Sequence, residues 1–281
     1  MRLAIVLSLI IFITTACNKT KETSSRVKGK LFIIGGGKRP AGLIDRMVQE
    51  SGVKNGGYVI ILPMASEEPD SAAWYAAQQF LERGIEKVYS FNFVSKQTDD
   101  SAWLDSVKNA RLIYIPGGDQ NKFMAIAEGS PLFPALHLAY RNGATIAGTS
   151  AGAAVMSRKM ITGNEKKYPQ YTGDYRSIES DNIEIGSGLG FLSNSIVDQH
   201  FIKRMRMNRL IAVAIENPDN TLVGIDESTA ILVQNDSAEV IGSNQVIVLN
   251  GNHSKKIQNG LLGAKNLNLS IFLPGEKFKL N

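Results

Sequence analysis

The chain has 281 residues, 43% of them hydrophobic and 20% charged, so it is long enough to bury a full core and its composition is globular. The formal net charge is +5, but basic and acidic residues are interspersed along most of the chain, which argues against a nucleic-acid-binding surface. The single cysteine excludes an internal disulfide, a cysteine-rich metal site and a thiol nucleophile.

The N-terminal segment has the features of an export signal. Met1-Arg2-Leu3 precedes an apolar run, Ala4 to Ile13, that is too short to span a membrane dependably. The run ends in Thr14-Thr15-Ala16-Cys17, which resembles the lipobox at which bacterial lipoproteins are cleaved and acylated. We expect residues 1–16 to be a signal peptide and residues 17–27 a lipidated, flexible tether. The protein would then be an exported bacterial lipoprotein, anchored to a membrane and either periplasmic or on the outer surface. The alternative is an ordinary signal peptide with a chance cysteine.

From residue 28 onward, short apolar runs rich in β-branched residues alternate with helix-like stretches. This alternation predicts an α/β fold: a mostly parallel sheet with helices on both faces and functional groups on loops at the carboxyl ends of the strands. The predicted strands are Lys30–Ile34, Tyr58–Leu62, Lys87–Phe93, Leu112–Ile115 and Thr145–Ala147. The predicted helices are Gly42–Ser51, Ser71–Arg83 and Leu132–Asn142.

The C-terminal part has a different pattern, in which short apolar runs are separated by Asn, Asp and Gly. Such runs predict an antiparallel extension of the same sheet. No repeat or linker interrupts the chain, so residues 28–281 are interpreted as one domain. The polar, tyrosine-rich segment Gly163 to Gly186 is either a loop over a site or a variable surface excursion. The C-terminal strands are predicted at Thr221–Ile225, Ala230–Gln234, Glu239–Ile241 and Gln245–Leu249.

A candidate nucleophile lies in Gly148-Thr149-Ser150-Ala151-Gly152, which matches the Gly-x-Ser-x-Gly pattern. The pentapeptide follows a predicted strand and precedes Ala153–Met156, which can open a helix. A strained turn at this point would project the serine hydroxyl above the sheet, and the helix would direct free amides toward an oxyanion. We therefore predict Ser150 as the nucleophile, a Gly-Ser turn without chemistry being the alternative.

A nucleophilic serine needs a base, and the chain has three histidines. His253 lies in a polar turn and is interpreted as solvated, whereas His137 lies within a predicted helix and is interpreted as structural. His200 follows the apolar run Ser195-Ile196-Val197 at a predicted strand end, where catalytic groups of this architecture collect. His200 is therefore the predicted general base.

The third member of such a site should be a carboxylate that holds the other ring nitrogen of the histidine. Glu227 directly follows a predicted strand, and it gives the chain order nucleophile, histidine, acid. An α/β-hydrolase runs nucleophile, acid, histidine, which argues against a lipase or esterase. On position alone, several rivals to Glu227 stay open: Asp226, Asp198, Asp174 and Glu179.

Motifs from both halves of the chain form one ordered set: Gly35-Gly36-Gly37, Pro116-Gly117-Gly118-Asp119-Gln120, Gly148 to Ala153, Gly188-Leu189-Gly190-Phe191, Asp198-Gln199-His200-Phe201, Arg204 with Arg206 and Arg209, and Gly224-Ile225-Asp226-Glu227. In this order they resemble the cyanophycinases and aspartyl dipeptidases, which are serine peptidases. The resemblance covers nearly all of the predicted domain. It implies a fold like that of class I glutamine amidotransferases.

The resemblance also implies roles for individual residues. The serine, histidine and glutamate triad of the family falls on Ser150, His200 and Glu227, with Asp226 as the fallback acid. The oxyanion hole would be formed by the backbone amides of Ala151 and Gly118. The substrate pocket would be lined by polar and charged residues at matching positions: Gln120, Asp198, Gln199, Arg204, Arg206 and Arg209.

Cyanophycinase acts on a polymer of β-aspartyl-arginine units, which it cleaves to dipeptides. The three arginines named above crowd the start of a helix, where positive charge is mildly unfavourable. This placement suits a site that awaits a carboxylate ligand, the alternative being a solvated basic helix face. We therefore expect a serine exopeptidase of β-aspartyl-arginine polymer or peptides, whose partners are a peptide substrate and, through Cys17, a membrane.

Other functions are weighed against this expectation. A related enzyme could be an aspartyl or isoaspartyl dipeptidase of other specificity, and the export signal favours an external peptide as substrate. A surface-binding lipoprotein without chemistry is a further alternative. An amidotransferase is disfavoured because that chemistry uses a cysteine where Ser150 stands. We expect no cofactor and no metal, because no phosphate loop, dinucleotide fingerprint or metal-ligand cluster is found in the sequence, and we allow for a homodimer.

Overall fold

The computed structural model describes residues 27–96, 100–170, 175–251 and 253–280. The predicted signal peptide, Cys17 and the tether up to residue 26 lie outside the described residues, as does Asp174. Within the described ranges, we find no helix that combines the length and the apolar character needed to cross a bilayer.

The centre of the fold is an eight-stranded sheet in which five neighbouring strands are parallel and three further strands continue the sheet in antiparallel fashion. From one edge to the other, its strands are β3 (Val88–Ser90), β2 (Val59–Ile61), β4 (Leu112–Ile115), β5 (Thr145–Thr149), β1 (Lys30–Ile34), β10 (Thr229–Gln234), β11 (Ser237–Gly242) and β16 (Lys277–Lys279).

A second sheet and two strand pairs complete the β structure. The second sheet has four strands in the order β15 (Asn268–Phe272), β12 (Val246–Asn250), β9 (Thr221–Ile225) and β8 (Ser195–Gln199). Its strands β8 and β9 are parallel, and the other neighbours are antiparallel. The two pairs are β6 (Lys159–Glu165) with β7 (Ile183–Ser187) and β13 (Ser254–Gln258) with β14 (Leu261–Lys265).

Helices cover both faces of the main sheet. Successive residues of β1 point to opposite faces: Leu31 belongs to one apolar cluster and Phe32 to another, and both are fully buried. Burial of a side chain of this size is worth about 1.5–3 kcal/mol. The helices are α1 (Ala41–Ser51), α2 (Pro69–Leu81), α3 (Ser101–Asn109), α4 (Gln120–Ala127), α5 (Leu132–Asn142), α6 (Ala151–Ala154) and α7 (Met207–Glu216), with a 3₁₀ turn at Val53–Asn55.

The predicted fold class is confirmed. The mainly parallel sheet, the helices on both faces and the antiparallel C-terminal extension are all present. One detail is wrong, because Thr221–Ile225 and the strand near Gln245–Leu249 lie in the second sheet and not in the extension. Alternation of apolar residues identifies a strand but not its neighbour, so the sequence could not assign these two strands to a sheet.

The second sheet meets the main sheet at the edge formed by the carboxyl ends of the parallel strands. The backbone amide of His200, just after β8, donates to the carbonyl of Gly35, just after β1, with an N···O distance of 2.6 Å. Similarly, the amide of Ser228 donates to the carbonyl of Gly36 at 3.0 Å. These bonds bring the loops that follow β8 and β9 to the loop that follows β1, and the amide of Ser150, after β5, donates to the carbonyl of Ile34 in β1 at 3.1 Å.

Candidate active site

Ser150 lies at the sharp turn between β5 and α6. Its backbone angles, φ 55° and ψ −113°, are rarely adopted by a residue with a side chain. The flanking glycines make the turn possible: a Cβ at Gly148 would lie 2.1 Å from the carbonyl oxygen of Gly152, and one at Gly152 would lie 2.1 Å from that of Ile115. The predicted helix does begin at this point, but α6 has only four residues.

His200 and Glu227 complete a hydrogen-bonded chain with Ser150. Nε2 of His200 lies 2.8 Å from Oγ of Ser150, and Nδ1 lies 2.6 Å from Oε1 of Glu227. With a neutral ring, Nδ1–H donates to the carboxylate and Nε2 accepts from the serine hydroxyl. The imidazole is 8% exposed and the Glu227 side chain 26% exposed, so the ring is largely shielded from water.

The glycine-rich loop after β1 holds this histidine and glutamate in place. Gly36 and Gly37 have positive φ angles of 110° and 68°. A Cβ at Gly36 would lie 2.3 Å from Cε1 of His200, and one at Gly37 would lie 2.6 Å from Oε2 of Glu227. The backbone therefore contacts both side chains directly, which only glycine permits.

Burial lowers the pKa of His200 below the ordinary value for histidine. The hydrogen bond that His200 donates to Glu227 acts in the opposite direction, and the positive charges of Arg204 and Arg206 lower the pKa further. The net direction is downward, so the ring is neutral at pH 7 and its Nε2 can accept a proton.

The two residues predicted to form the oxyanion hole both adjoin Ser150. Ala151 follows it directly, and Gly118 belongs to the Gly117-Gly118 turn after β4. A Cβ at Gly117 would lie 3.2 Å from Cβ of Ser150, so this turn packs against the serine. Gly118 has a φ of 140°, and a Cβ there would meet the carbonyl oxygen of Ala65 at 2.0 Å.

Ser150 lines a cleft with a volume of about 440 Å³. This volume is within the range of about 300–1,000 Å³ that is usual for small-molecule sites. The cleft is bounded by the turn after β4, the end of β6, the tyrosine-rich segment and the start of α7. Its lining residues are Gly118, Asp119, Gln120, Asn121, Ser150, Thr162, Gly163, Asn164, Tyr175, Gln199, Arg204, Arg206 and Arg209.

One predicted pocket residue does not line the cleft. Asp198 is 1% exposed and forms a bidentate ion pair with Arg209, whose Nε lies 2.8 Å from Oδ2 while Nη2 contacts Oδ1. Arg209 is itself 2% exposed and also donates to the Tyr175 hydroxyl. Burial alone would lower the pKa of Arg209, but the Asp198 carboxylate outweighs that effect, so the pKa is raised.

The expectation that all three arginines await a carboxylate ligand is therefore corrected. Arg209 already has its carboxylate partner inside the protein. Arg206 is 4% exposed, and its Nη1 donates to the carbonyl and to the side-chain oxygen of Gln199. Arg204 alone of the three is exposed, and in the described part of the chain its guanidinium has no hydrogen-bond or ion-pair partner. The cleft thus offers Arg204 to a ligand.

Gln120 has a structural contact of its own. Its side-chain amide donates to the carbonyl of Ile161 at 3.1 Å and also to that of Thr162, which connects α4 to the middle of β6. A sequence motif could not show this contact, because the two partners are about forty residues away along the chain.

The rival acids and histidines lie elsewhere or have other partners. Oδ1 of Asp226 accepts from the backbone amide of Lys203 at 2.9 Å. Glu179 accepts from Tyr168 and pairs with Lys167, and Asp174 lies outside the described residues. His137 packs between Phe133 and Phe191, and His253 is partly buried rather than fully solvated.

The cleft contains residues that the sequence motifs did not indicate: Thr162, Gly163, Asn164 and Tyr175. All four belong to the region around the polar, tyrosine-rich segment, whose two ends are the paired strands β6 and β7. Its described part includes a wall of the cleft, which fits a loop over a site better than a surface excursion. The richness in tyrosine was the available signal, but it could not show that Tyr175 points inward.

In the described ranges, no group of three or more His, Cys, Asp or Glu side chains is arranged to hold a metal ion. The site combines a serine hydroxyl, a neutral imidazole and a carboxylate in one hydrogen-bonded chain. Backbone amides and the exposed guanidinium of Arg204 lie beside it, an arrangement suited to nucleophilic catalysis.

Comparison with known proteins gives a consistent result. The model of the family described as peptidase family S51 matches residues 31–241. The chain is 31% identical over 232 residues to a cyanophycinase of Nostoc sp., covering 79% of this chain and 75% of that protein. It is 30% identical over 277 residues to a cyanophycinase of Synechococcus elongatus, covering 94% and 83%.

The fold is also similar to that in the crystal structure of a peptidase from an acI-B1 Actinobacterium. The TM-score is 0.67 and the sequence identity 22%, and the match covers 91% of this chain and 98% of that one. At this level of identity the likeness concerns the fold.

Proposed function

The chain belongs to peptidase family S51 and is a serine-type peptidase, and from this premise we propose that it hydrolyses β-aspartyl-arginine polymer or peptides to dipeptides through an acyl-enzyme. The observation that carries the mechanism is the unbroken hydrogen-bonded chain from Ser150 through His200 to Glu227. In this proposal, Ser150 is the nucleophile, His200 the general base and Glu227 its carboxylate partner.

In the acylation step, Oγ of Ser150 attacks the scissile carbonyl carbon while its proton passes to Nε2 of His200. The carbonyl oxygen becomes an oxyanion, which the amides of Gly118 and Ala151 stabilise by on the order of 3 kcal/mol each. When the tetrahedral intermediate collapses, the C–N bond breaks and His200 gives its proton to the leaving amine. An ester then links the acyl part of the substrate to Ser150.

In the deacylation step, water attacks the ester carbon and His200 accepts the proton of the water. Collapse of the second tetrahedral intermediate breaks the ester bond, and His200 returns the proton to Oγ of Ser150. The products are a free carboxylic acid and the original serine. Glu227 stays ionised throughout and stabilises the imidazolium that forms twice in the cycle.

Two observations support the substrate class. Curated relatives at 30–31% identity over most of this chain are cyanophycinases. In addition, a β-aspartyl-arginine unit carries a free α-carboxylate, and the exposed Arg204 guanidinium is a matching partner for it in the cleft. The buried ion pair of Arg209 with Asp198 does not contribute a ligand site but supports the floor of the cleft.

The test is mass spectrometry of the products that the purified protein releases from cyanophycin, and in parallel from simple α- and β-aspartyl dipeptides. We expect β-aspartyl-arginine from the polymer, no release by Ser150→Ala, and unchanged release by Ser254→Ala, which changes an exposed serine of β13. Cleavage of the short dipeptides alone would support the proposed mechanism but contradict the proposed substrate, and would indicate an aspartyl dipeptidase. Binding of the polymer without any cleavage would contradict the proposal and favour a binding lipoprotein.

We also propose that the protein is an exported lipoprotein attached to a membrane through Cys17, on the basis of the lipobox-like sequence alone. The test is incorporation of labelled palmitate in the native host, followed by membrane fractionation. We expect the label and the membrane association to be lost together in Cys17→Ser. Label-free protein in the soluble fraction of the wild type would contradict this proposal without affecting the catalytic one.

A further inference from the structure

Among the described residues that line the cleft beside Ser150, a single side chain is acidic. It belongs to Asp119, and three other lining residues are arginines. Building on the proposed function, we infer that Asp119 binds the guanidinium group of the substrate's arginine side chain and so selects arginine at this position. The resemblance assigned Asp119 to a motif but gave it no role.

The charges around the cleft leave Asp119 available for a ligand. Asp198, a buried acid next to the lining residue Gln199, is paired with Arg209. Arg204 has no internal partner in the described part of the chain, so the side of the cleft that it forms is positive. A substrate guanidinium would be repelled on that side, and the opposite charge that could attract it is on Asp119.

The carboxylate of Asp119 is held in position by one of its oxygens, and the other oxygen is available to a ligand. It is the N-cap of α4: Oδ1 accepts from the backbone amide of Asn121 at 2.7 Å, and the Asp119 amide donates to the carbonyl of Ala65 at 2.8 Å. Oδ2 has no partner among the residues that the structure describes, and the side chain is exposed. A ligand can therefore reach Oδ2 of Asp119, a hydrogen-bond acceptor whose orientation is fixed by the cap.

The distance along the chain suits the shape of a β-aspartyl-arginine unit. Gly117 packs against Ser150. Asp119 is two residues further along the chain, so its Cα lies at most about 7 Å from the Cα of Gly117. In the substrate unit, the α-carboxylate branches from the arginine Cα, and the guanidinium lies several bonds further from the scissile carbonyl. In the proposed arrangement, one arginine residue places its carboxylate at Arg204 and its guanidinium at Asp119 while the aspartyl carbonyl is at Ser150.

The test compares two peptides, β-aspartyl-arginine and β-aspartyl-citrulline units in the same short oligomer, with the intact protein. Citrulline has nearly the shape of arginine but a neutral ureido group in place of the guanidinium. In Asp119→Asn, the amide keeps the N-cap hydrogen bond and loses the charge, so the turn that carries Gly118 is retained. We expect kcat/KM for the arginine peptide to fall about tenfold, chiefly through KM, and the loss with the citrulline peptide to be several-fold smaller.

The matched control is Asp100→Asn. Asp100 is the N-cap of α3, where Oδ1 accepts from the amide of Trp103 at 3.0 Å, and it does not line the cleft. This variant removes an equal charge from an equivalent cap, and its kinetic constants with both peptides should be those of the wild type.

A second measurement is independent of turnover. In the Ser150→Ala background, calorimetry gives the Kd of each uncleaved peptide. Asp119→Asn should weaken binding of the arginine peptide about tenfold, and binding of the citrulline peptide several-fold less. Equal losses for both peptides, or no loss for either, would overturn the assignment of Asp119 and leave the proposed hydrolase intact. A wild-type protein that cleaves neither peptide would overturn the proposed function, and the role of Asp119 with it.

Discussion

Two regions of the molecule bury polar side chains in opposite ways. The first, which we call the serine edge, comprises Ser150, His200 and Glu227. The second, which we call the ion cluster, comprises Asp198, Arg209 and Tyr175. The two regions are joined through β8, because Asp198 and His200 are only two residues apart on the chain.

In the ion cluster, each group has its partner inside the protein. Arg209 donates to Asp198 and to the Tyr175 hydroxyl, and its guanidinium lies 4.5 Å from the centre of the tyrosine ring. In the serine edge, the hydrogen-bonded chain ends in a hydroxyl that faces the cleft, and strained backbone holds it there. A polar cluster whose charges are paired inside the protein thus maintains the fold, whereas one that ends at the cleft is available for chemistry.

The largest effect on activity should come from removing the serine hydroxyl of the serine edge. Ser150→Ala removes the nucleophile and is expected to lower kcat by about 10⁴-fold or more, as in other serine hydrolases. The free energy of unfolding should stay within about 0.5 kcal/mol of the wild type, since the Cβ is kept and the backbone is unchanged. Turnover of the arginine peptide and urea unfolding, measured on the same preparation, check this pair of outcomes. A large loss of stability would show that the two regions are not separable.

The converse change breaks the ion cluster. Asp198→Asn leaves the Arg209 charge buried without its counter-charge, so we expect the free energy of unfolding to fall by about 3–5 kcal/mol. Urea unfolding measures this loss.

The apolar double variant Asp198→Leu with Arg209→Met tests the reason for that loss. It removes both charges together and should regain most of the stability. If the double variant is as unstable as Asp198→Asn alone, the loss is not due to the unpaired arginine.

A smaller effect is expected from the link between the ion cluster and the tyrosine-rich segment. Tyr175→Phe keeps the ring against Arg209 but removes the hydroxyl that accepts its hydrogen bond, which should lower the free energy of unfolding by about 1–2 kcal/mol. KM should rise more than kcat falls, because Tyr175 lines the cleft but lies outside the hydrogen-bonded chain from Ser150 to Glu227. Tyr168→Phe is the control, because the exposed hydroxyl of Tyr168 contacts Glu179. If Tyr168→Phe lowers the free energy of unfolding as much as Tyr175→Phe does, the buried tyrosine has no special role in stability.

The smallest effect concerns the pH dependence of the serine edge. The pKa of His200 is lowered, first by burial and then in part by the charge of Arg204, and the neutral ring is the active form. Removing that charge in Arg204→Gln should raise the pKa of His200, so the acid limb of kcat/KM should move to higher pH. Activity on the acid limb would fall relative to the plateau at higher pH.

Lys203→Gln removes a charge from the neighbouring exposed residue and should leave the acid limb nearly in place, because Lys203 is not among the main causes of the pKa shift at His200. An acid limb that stays in place or moves to lower pH in Arg204→Gln would contradict the electrostatic reading of this site.

The fold and the site differ in how far the sequence predicts them. Alternating apolar runs and turn glycines predicted the α/β class, the helix Leu132–Asn142 and the strand Lys30–Ile34 with the observed bounds. Helices α3 and α4 were not predicted. Both begin at an aspartate N-cap, which was the local signal available.

The residues that can react are evident from the sequence: one Gly-x-Ser-x-Gly turn, three histidines and the carboxylates at strand ends. These follow from local rules, since a tight turn needs glycine and a nucleophile needs a base. Which groups face one another depends on the fold. It paired Arg209 with Asp198, left Arg204 exposed, turned Tyr175 inward and left one oxygen of Asp119 free. Such pairings depend on contacts between segments far apart in the chain, and spacing along the sequence carries no record of those distances.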